Sequence, residues 1–319
     1  MLNNQLIRKN LPFTIRRILN CRHHRPSLFQ WREIFSDISS DRKTKNGKVV
    51  CSTHLVFIAG MPKSGTTWLC QLLALTPGMV QLNKSFIRNY PGRPNSINIH
   101  DVDPQMLTCA PQNSLSFLKL HLNPYSRNFS ILEDHNIKTV VLIRDLRDML
   151  ISRQYHVIAN KSHWDNKRLM NFPPESRLLE SMKGVIPELS VNVIDYFIFW
   201  VNGWIDKTVT DPNKTLLIKY EEMNSDLFFV LKKIYKFYEY YIDDAMISKI
   251  IIKQKKKHKN EKKRSLEENL KLIGRYRSTF RQGIVGQWQS EYNSETKDFV
   301  KNYAGDILIK SGYEKDLSW

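Results

Sequence analysis

The chain has 319 residues, 41% of them apolar and 25% charged, with 49 Lys and Arg against 31 Asp and Glu for a formal net charge of +18. That length and apolar content exclude a disordered or fibrous chain and support one large or two modest domains with a buried core. The positive balance leaves anionic partners open: nucleic acid, anionic membrane, acidic glycan or a polyphosphate ligand.

Residues 1–50 read as a basic N-terminal extension, because the first acidic residue is Glu33, after Arg8, Lys9, Arg16, Arg17, Arg22 and Arg25. The bias resembles a transit peptide or a membrane-surface helix but lacks serine enrichment, so a plain extension is expected, with residues 51–319 as one domain. The four cysteines (Cys21, Cys51, Cys70, Cys109) are scattered without a C-x-x-C pair. They argue against a zinc knuckle or a disulfide framework and fit a reducing compartment, the cytoplasm.

"HLVFIAG" (His54 to Gly60) is a continuous β-prone run, as in a central strand buried on both faces. Behind it, Trp68, Leu69, Leu72 and Leu73 form one helical stripe that "TPG" (Thr76 to Gly78) ends. "SLSFLKLHL" (Ser114 to Leu122) alternates and predicts another strand. "KTVVLIRD" (Lys138 to Asp145) predicts a buried strand followed at once by a helix, which Asp145 caps, whose positive end Asp148 suits, and which Leu146, Met149 and Leu150 face inward. Val191 to Ile205 is the longest apolar stretch, but it carries Asp195 and is too short to span a bilayer comfortably. "KTLLIKYEEM" (Lys214 to Met223) repeats the strand signal, and Leu227, Leu231, Ile234, Tyr238 and Tyr241 then fall at helical spacing. Segments 77–113 and 157–190 read as irregular. The fold expected is α/β: a single P-loop-like domain with a mostly parallel central sheet flanked by helices on both faces.

The first strand–helix junction, "GMPKSGTTW" (Gly60 to Trp68), is nearly the P-loop G-x-x-x-x-G-K-[ST], but Thr66 stands where the lysine belongs and Lys63 lies inside the loop. Glycines at a strand-to-helix turn expose backbone N–H groups to an anion, and the helix dipole adds to them. Thr66 and Thr67 supply hydroxyls, and Trp68 a flat face for a base. A kinase or ATPase is disfavoured by the missing lysine and by the absence of a clear Walker-B aspartate. A Rossmann cofactor is disfavoured by the absence of G-x-G-x-x-G.

"PKSGTTW" resembles the 5′-phosphosulfate loop of sulfotransferases that use 3′-phosphoadenosine 5′-phosphosulfate (PAPS), and further motifs follow in that family's order. "RDLRDMLIS" (Arg144 to Ser152) resembles the 3′-phosphate segment, "FLKLHL" (Phe117 to Leu122) the catalytic strand with its Lys-x-His pair, and "YEEM" (Tyr220 to Met223) the Tyr-Glu step. "FRQGIVGQW" (Phe280 to Trp288) resembles the late Arg-Lys-Gly motif. The resemblance implies sulfuryl transfer from PAPS to a hydroxyl or amine by in-line displacement, with PAP as product and no metal. It implies donor contacts from Lys63, Ser64, Gly65, Thr66, Thr67, Trp68, Arg144, Ser152, Tyr220, Arg281, Gln282 and Gly283. It also implies that the residue at Ser152 holds Lys63 away until acceptor arrives.

The residues agree with that chemistry. Arg144 can bind phosphate with a rigid fork, and Ser152 adds a hydroxyl. His121 is the candidate base, since imidazole titrates near working pH, and strand alternation places Lys119 on its side. Lys63 would stabilise the leaving group. His100, His135 and His156 are rival bases. The chain departs from the pattern at Gln282, where the family has lysine, and at Gln287 before Trp288. The segment "QSEYNSETKD" does not reproduce the family's dimer motif, so no oligomeric state is expected from it. The acceptor is unspecified, with a tilt toward small hydroxylated molecules. A P-loop kinase is the alternative enzyme. A nucleic-acid-binding protein is the other class, suggested by the net charge and by the run Lys253 to Arg264 but without a nucleic-acid motif.

Overall fold

The computed structural model describes residues 55–82, 101–102, 104, 107, 115–187, 189–255 and 283–319. The first half of these runs β1 (Leu55–Gly60), α1 (Thr66–Leu73), β2 (Met79–Gln81), β3 (Leu115–Leu120), α2 (Ser126–Asp134), β4 (Thr139–Ile143) and α3 (Leu146–Ala159). There follow α4 (Asn166–Met170), α5 (Arg177–Lys183), β5 (Val185–Ile186), β6 (Val191–Asn192) and α6 (Val193–Thr210). Then come β7 (Thr215–Lys219), α7 (Tyr220–Ser225), α8 (Leu227–Phe237), helix α9 over residues 244–255, α10 (Trp288–Glu291) and α11 (Ser294–Lys310).

Five strands form one sheet in the order β2-β3-β1-β4-β7, every neighbouring pair parallel. A parallel sheet needs both faces covered, and strand alternation supplies the two apolar surfaces. Leu55, Phe57 and Ala59 of β1 pack with Leu118, Val141 and Ile143 against α3, α5, α6 and α11. Val56 and Ile58 pack with Phe117, Val140, Leu142 and Ile218 against α1 and α8. The expected α/β architecture is therefore the observed one. Since all five strands run the same way, the ends of β1, β3, β4 and β7 meet along one carboxyl edge, and loops there can converge on a ligand.

Two expectations are corrected. Segment 157–190 is not irregular: it holds α4 and α5, pinned where Asp165 pairs with Arg153 (3.0 Å) and Arg168 (2.6 Å). The same arginines donate to the carbonyls of Ser181 and Glu180. In segment 77–113, β2 adds an edge strand to the sheet. Tyr241 is not core, being 95% exposed beyond the end of α8. No helix among the described residues is long and apolar enough to cross a membrane. The N-terminal extension, most of the Lys253–Arg264 run, Arg281, Gln282 and the rival base His100 lie outside the described residues.

Candidate active site

The turn after β1 closes by backbone and side chain together: Ser64 donates its hydroxyl to the Met61 carbonyl (2.7 Å). Gly60 must be glycine because a β-carbon there would overlap the Thr66 side chain. Gly65 has φ of 90°, and a β-carbon there would lie 2.6 Å from the Tyr220 ring. The loop thus fits against Tyr220, which leads α7 at the end of β7. Tyr220 meets the edge of Trp68 with ring centroids 5.8 Å apart. On its other side, the Arg144 guanidinium lies 4.5 Å from the Tyr220 ring centroid. Trp68 is half-buried, Thr66 buried and Thr67 exposed.

Arg144 ends β4 and is 8% exposed. Its Nη2 donates to the Ile284 carbonyl (2.9 Å) and lies 3.7 Å from the Asp148 carboxylate, while its buried Nε has no hydrogen-bond partner among the described residues. Arg144 and Asp148 thus form an ion pair, yet Asp148 also accepts the N–H groups of Gly286 (2.8 Å) and Trp288 (3.0 Å). Burial pushes the Asp148 carboxyl up, against those two N–H groups and Arg144. Tyr220 donates to the Gly283 carbonyl (3.1 Å). Arg144, Asp148 and Tyr220 together hold the backbone of residues 283–288, the segment that continues the late motif. Ser152, two turns along α3 from Arg144, is half-buried.

Lys63 also belongs to this group. Burial first, and then the positive charge of Arg144, lower its ammonium to about 8. Lys63 thus lies within reach of the Arg144 charge, and an anion between two cations would favour both ammonium and guanidinium.

His121 follows β3 directly and is buried. Its Nδ1 contacts the Gly60 carbonyl, which can only accept, so Nδ1 carries the proton and Nε2 keeps its lone pair. Nε2 is 2.9 Å from Lys119 Nζ, which donates to it. The alternation reading for Lys119 and His121 is thereby matched in geometry, and the imidazole is in the tautomer a base at Nε2 needs. Of the rivals, His135 leans on the Ile131 carbonyl at the end of α2 (2.9 Å), and His156 stacks edge-on with His163 (6.1 Å).

Sequence reasoning treated Asp148 as a helix-end charge and gave no role to Glu221. Glu221 accepts the Asp145 N–H (3.1 Å) and the Tyr313 hydroxyl (2.8 Å), knitting the ends of β4 and β7. Burial pushes its carboxyl up. Position could have pointed to both: Glu221 follows Tyr220, and Asp148 lies one helical turn from both Arg144 and Ser152. A cavity of about 260 Å³ opens at the other end of β4 and β7, lined by Thr139, Thr215, Trp204, Lys207 and Lys214 among others. It shares no residue with these motifs.

The sulfotransferase-domain family matches residues 53–312. The chain belongs to the sulfotransferase family. The resemblance carried by the five motifs is borne out, and the protein is an enzyme of that class. Cytosolic sulfotransferase 3 of Arabidopsis thaliana is 25% identical over 260 residues, covering 75% of this chain and 72% of its own. Sulfotransferase 2A6 of Mus musculus is 23% identical over 293 residues, covering 89% and 92%. The crystal structure of a mouse sulfotransferase, SULT7A1, complexed with PAP, superposes with a TM-score of 0.57 at 19% identity over 90% of this chain and 92% of that one. This sulfotransferase thus shares the fold of that protein.

Proposed function

We propose that this sulfotransferase uses PAPS as donor and His121 as base to sulfate an acceptor hydroxyl or amine. The observation that carries this is the meeting of the Gly65 turn, Tyr220 and Arg144, from three separate motifs, on one carboxyl edge. The buried Nε of Arg144, without a partner among the described residues, fits an anion, since a buried guanidinium N–H without an acceptor is otherwise costly.

On this reading the loop from Lys63 to Thr67 receives the phosphosulfate, Trp68 and Tyr220 flank the adenine, and Arg144 with Ser152 receives the 3′-phosphate. Arg281, Gln282 and Gly283 complete that phosphate site, Gln282 as a neutral donor in place of a cation. PAPS supplies an activated sulfuryl group. The protein supplies a base and cations: His121 Nε2 takes the acceptor proton once Lys119 swings from it, and Lys119 and Lys63 face the charge that builds during transfer. The new bond joins acceptor oxygen or nitrogen to sulfur, and the bond from sulfur to the 5′-phosphate oxygen breaks. The acceptor is small and hydroxylated on the Lys-x-His pattern, and the site needs no metal.

Incubation with PAPS and a panel of phenols, alcohols and amines in the presence of a chelator tests this, with PAP and sulfated product read by mass spectrometry. Stoichiometric PAP and product support it. Turnover of ATP with magnesium and none of PAPS would establish the kinase alternative instead.

A further inference from the structure

We infer that Glu221 is a positioning residue of the donor site, held in place by a brace formed by residues 312–319. The inference rests on the donor reading above and goes beyond it, because none of these residues touches the ligand on that reading.

The donor side chains Arg144 and Tyr220 directly follow β4 and β7, and each is followed by an acidic residue, Asp145 and Glu221. Both acidic residues lead to the C-terminal segment, Glu221 directly and Asp145 through Arg147. Glu221 accepts the Asp145 N–H (3.1 Å) with one oxygen and the Tyr313 hydroxyl (2.8 Å) with the other. Asp145 grips Arg147 through both carboxylate oxygens (3.0 and 2.7 Å). Arg147, 2% exposed, pairs with Glu314, and its guanidinium lies 3.7 Å from the Trp288 ring centroid and 4.5 Å from that of Trp319. Lys219, the residue before Tyr220, donates to the Gly312 carbonyl (3.2 Å).

The peptide after Arg144 and both neighbours of Tyr220 are therefore fixed on one segment. A phosphate site works only when its donors are already aimed, and a fork such as Arg144 loses affinity when its backbone can rotate. The brace sets that aim. Its bonds run to Glu221, Arg147 and Lys219, beside Arg144 and Tyr220, so its effect is expected on donor affinity.

The test is calorimetric titration of the full chain with PAP, well below the melting temperature, for Tyr313→Phe, Glu221→Ala and Glu221→Gln. Amide exchange at Asp145 and thermal melting are measured alongside. Loss of a hydrogen bond to a charged partner predicts PAP affinity lower by about tenfold in Glu221→Ala and several-fold in Tyr313→Phe, with faster Asp145 exchange in both. Glu221→Gln keeps an oxygen for the Asp145 N–H and retains most of the affinity. Ile247→Ala, which opens the core beneath α9, lowers the melting temperature without changing PAP affinity. Wild-type affinity in both Tyr313→Phe and Glu221→Ala overturns the inference alone, as does an equal loss in Ile247→Ala. A wild-type protein that does not bind PAP overturns the donor reading and this inference with it.

Discussion

The neighbours of His121 suit it to the proposed role of base: the Gly60 carbonyl fixes the tautomer and Lys119 bonds to Nε2 until a hydroxyl competes for it. His121→Ala is expected to lower turnover by roughly 10²–10⁴-fold with PAP still bound, and unchanged turnover would remove it as base. Arg144→Ala should instead weaken PAP, which the same calorimetric titration reads. Lys63 makes the pH prediction. Its folded value is about 8 against an ordinary 10.5, so below about 8 the free protein holds a buried cation at a cost in stability. Between those values the unfolded chain binds more protons than the folded one, and stability gains from this group as pH rises. A bound anion favours the ammonium, so PAP binding at about pH 8.5 takes up protons, visible as heats that depend on the buffer's ionisation enthalpy. Lys63, His121 and Arg144 could be named as candidates from sequence because local motifs carry them. The bond from Arg144 to Ile284 was not, because those residues are 140 positions apart and only the folded sheet brings them together.

Among elements, the proposed donor site lies at the strand–helix junctions. Gly65→Ala combines a left-handed backbone with contact against Tyr220 and should lower stability by about 1–3 kcal/mol while weakening PAP, checked by chemical denaturation and titration. Asp148 joins α3 to the 283–288 segment through two backbone N–H groups. Asp148→Ala leaves both buried or half-buried donors unmet and should cost about 1–3 kcal/mol by denaturation, with a weaker grip on PAP. Strands β1, β3, β4 and β7 were legible because apolar or alternating runs with sharp ends have few other solutions in a buried sheet. Helices α4 and α5 were not: each is short, Pro173 and Pro174 lie between them, and they are held by Asp165 and its two arginines rather than by their own propensity. Tyr241 kept the helical spacing on paper, but α8 ends at Phe237, so the spacing no longer selects a face.

For the molecule as a whole, parallel strands aim four loops at one edge, and the chain carries a net charge of +18. An anionic donor should then bind less tightly as salt rises, because the Debye length shrinks from about 10 Å at 0.1 M to about 3 Å at 1 M. Titrating PAP across that range checks this. The central claim is the donor, and titration of the purified protein with PAP, with and without magnesium and with ATP as competitor, tests it most directly. Tight, magnesium-independent PAP binding that ATP displaces poorly is the predicted result. No PAP binding, together with magnesium-dependent ATP binding, would contradict it.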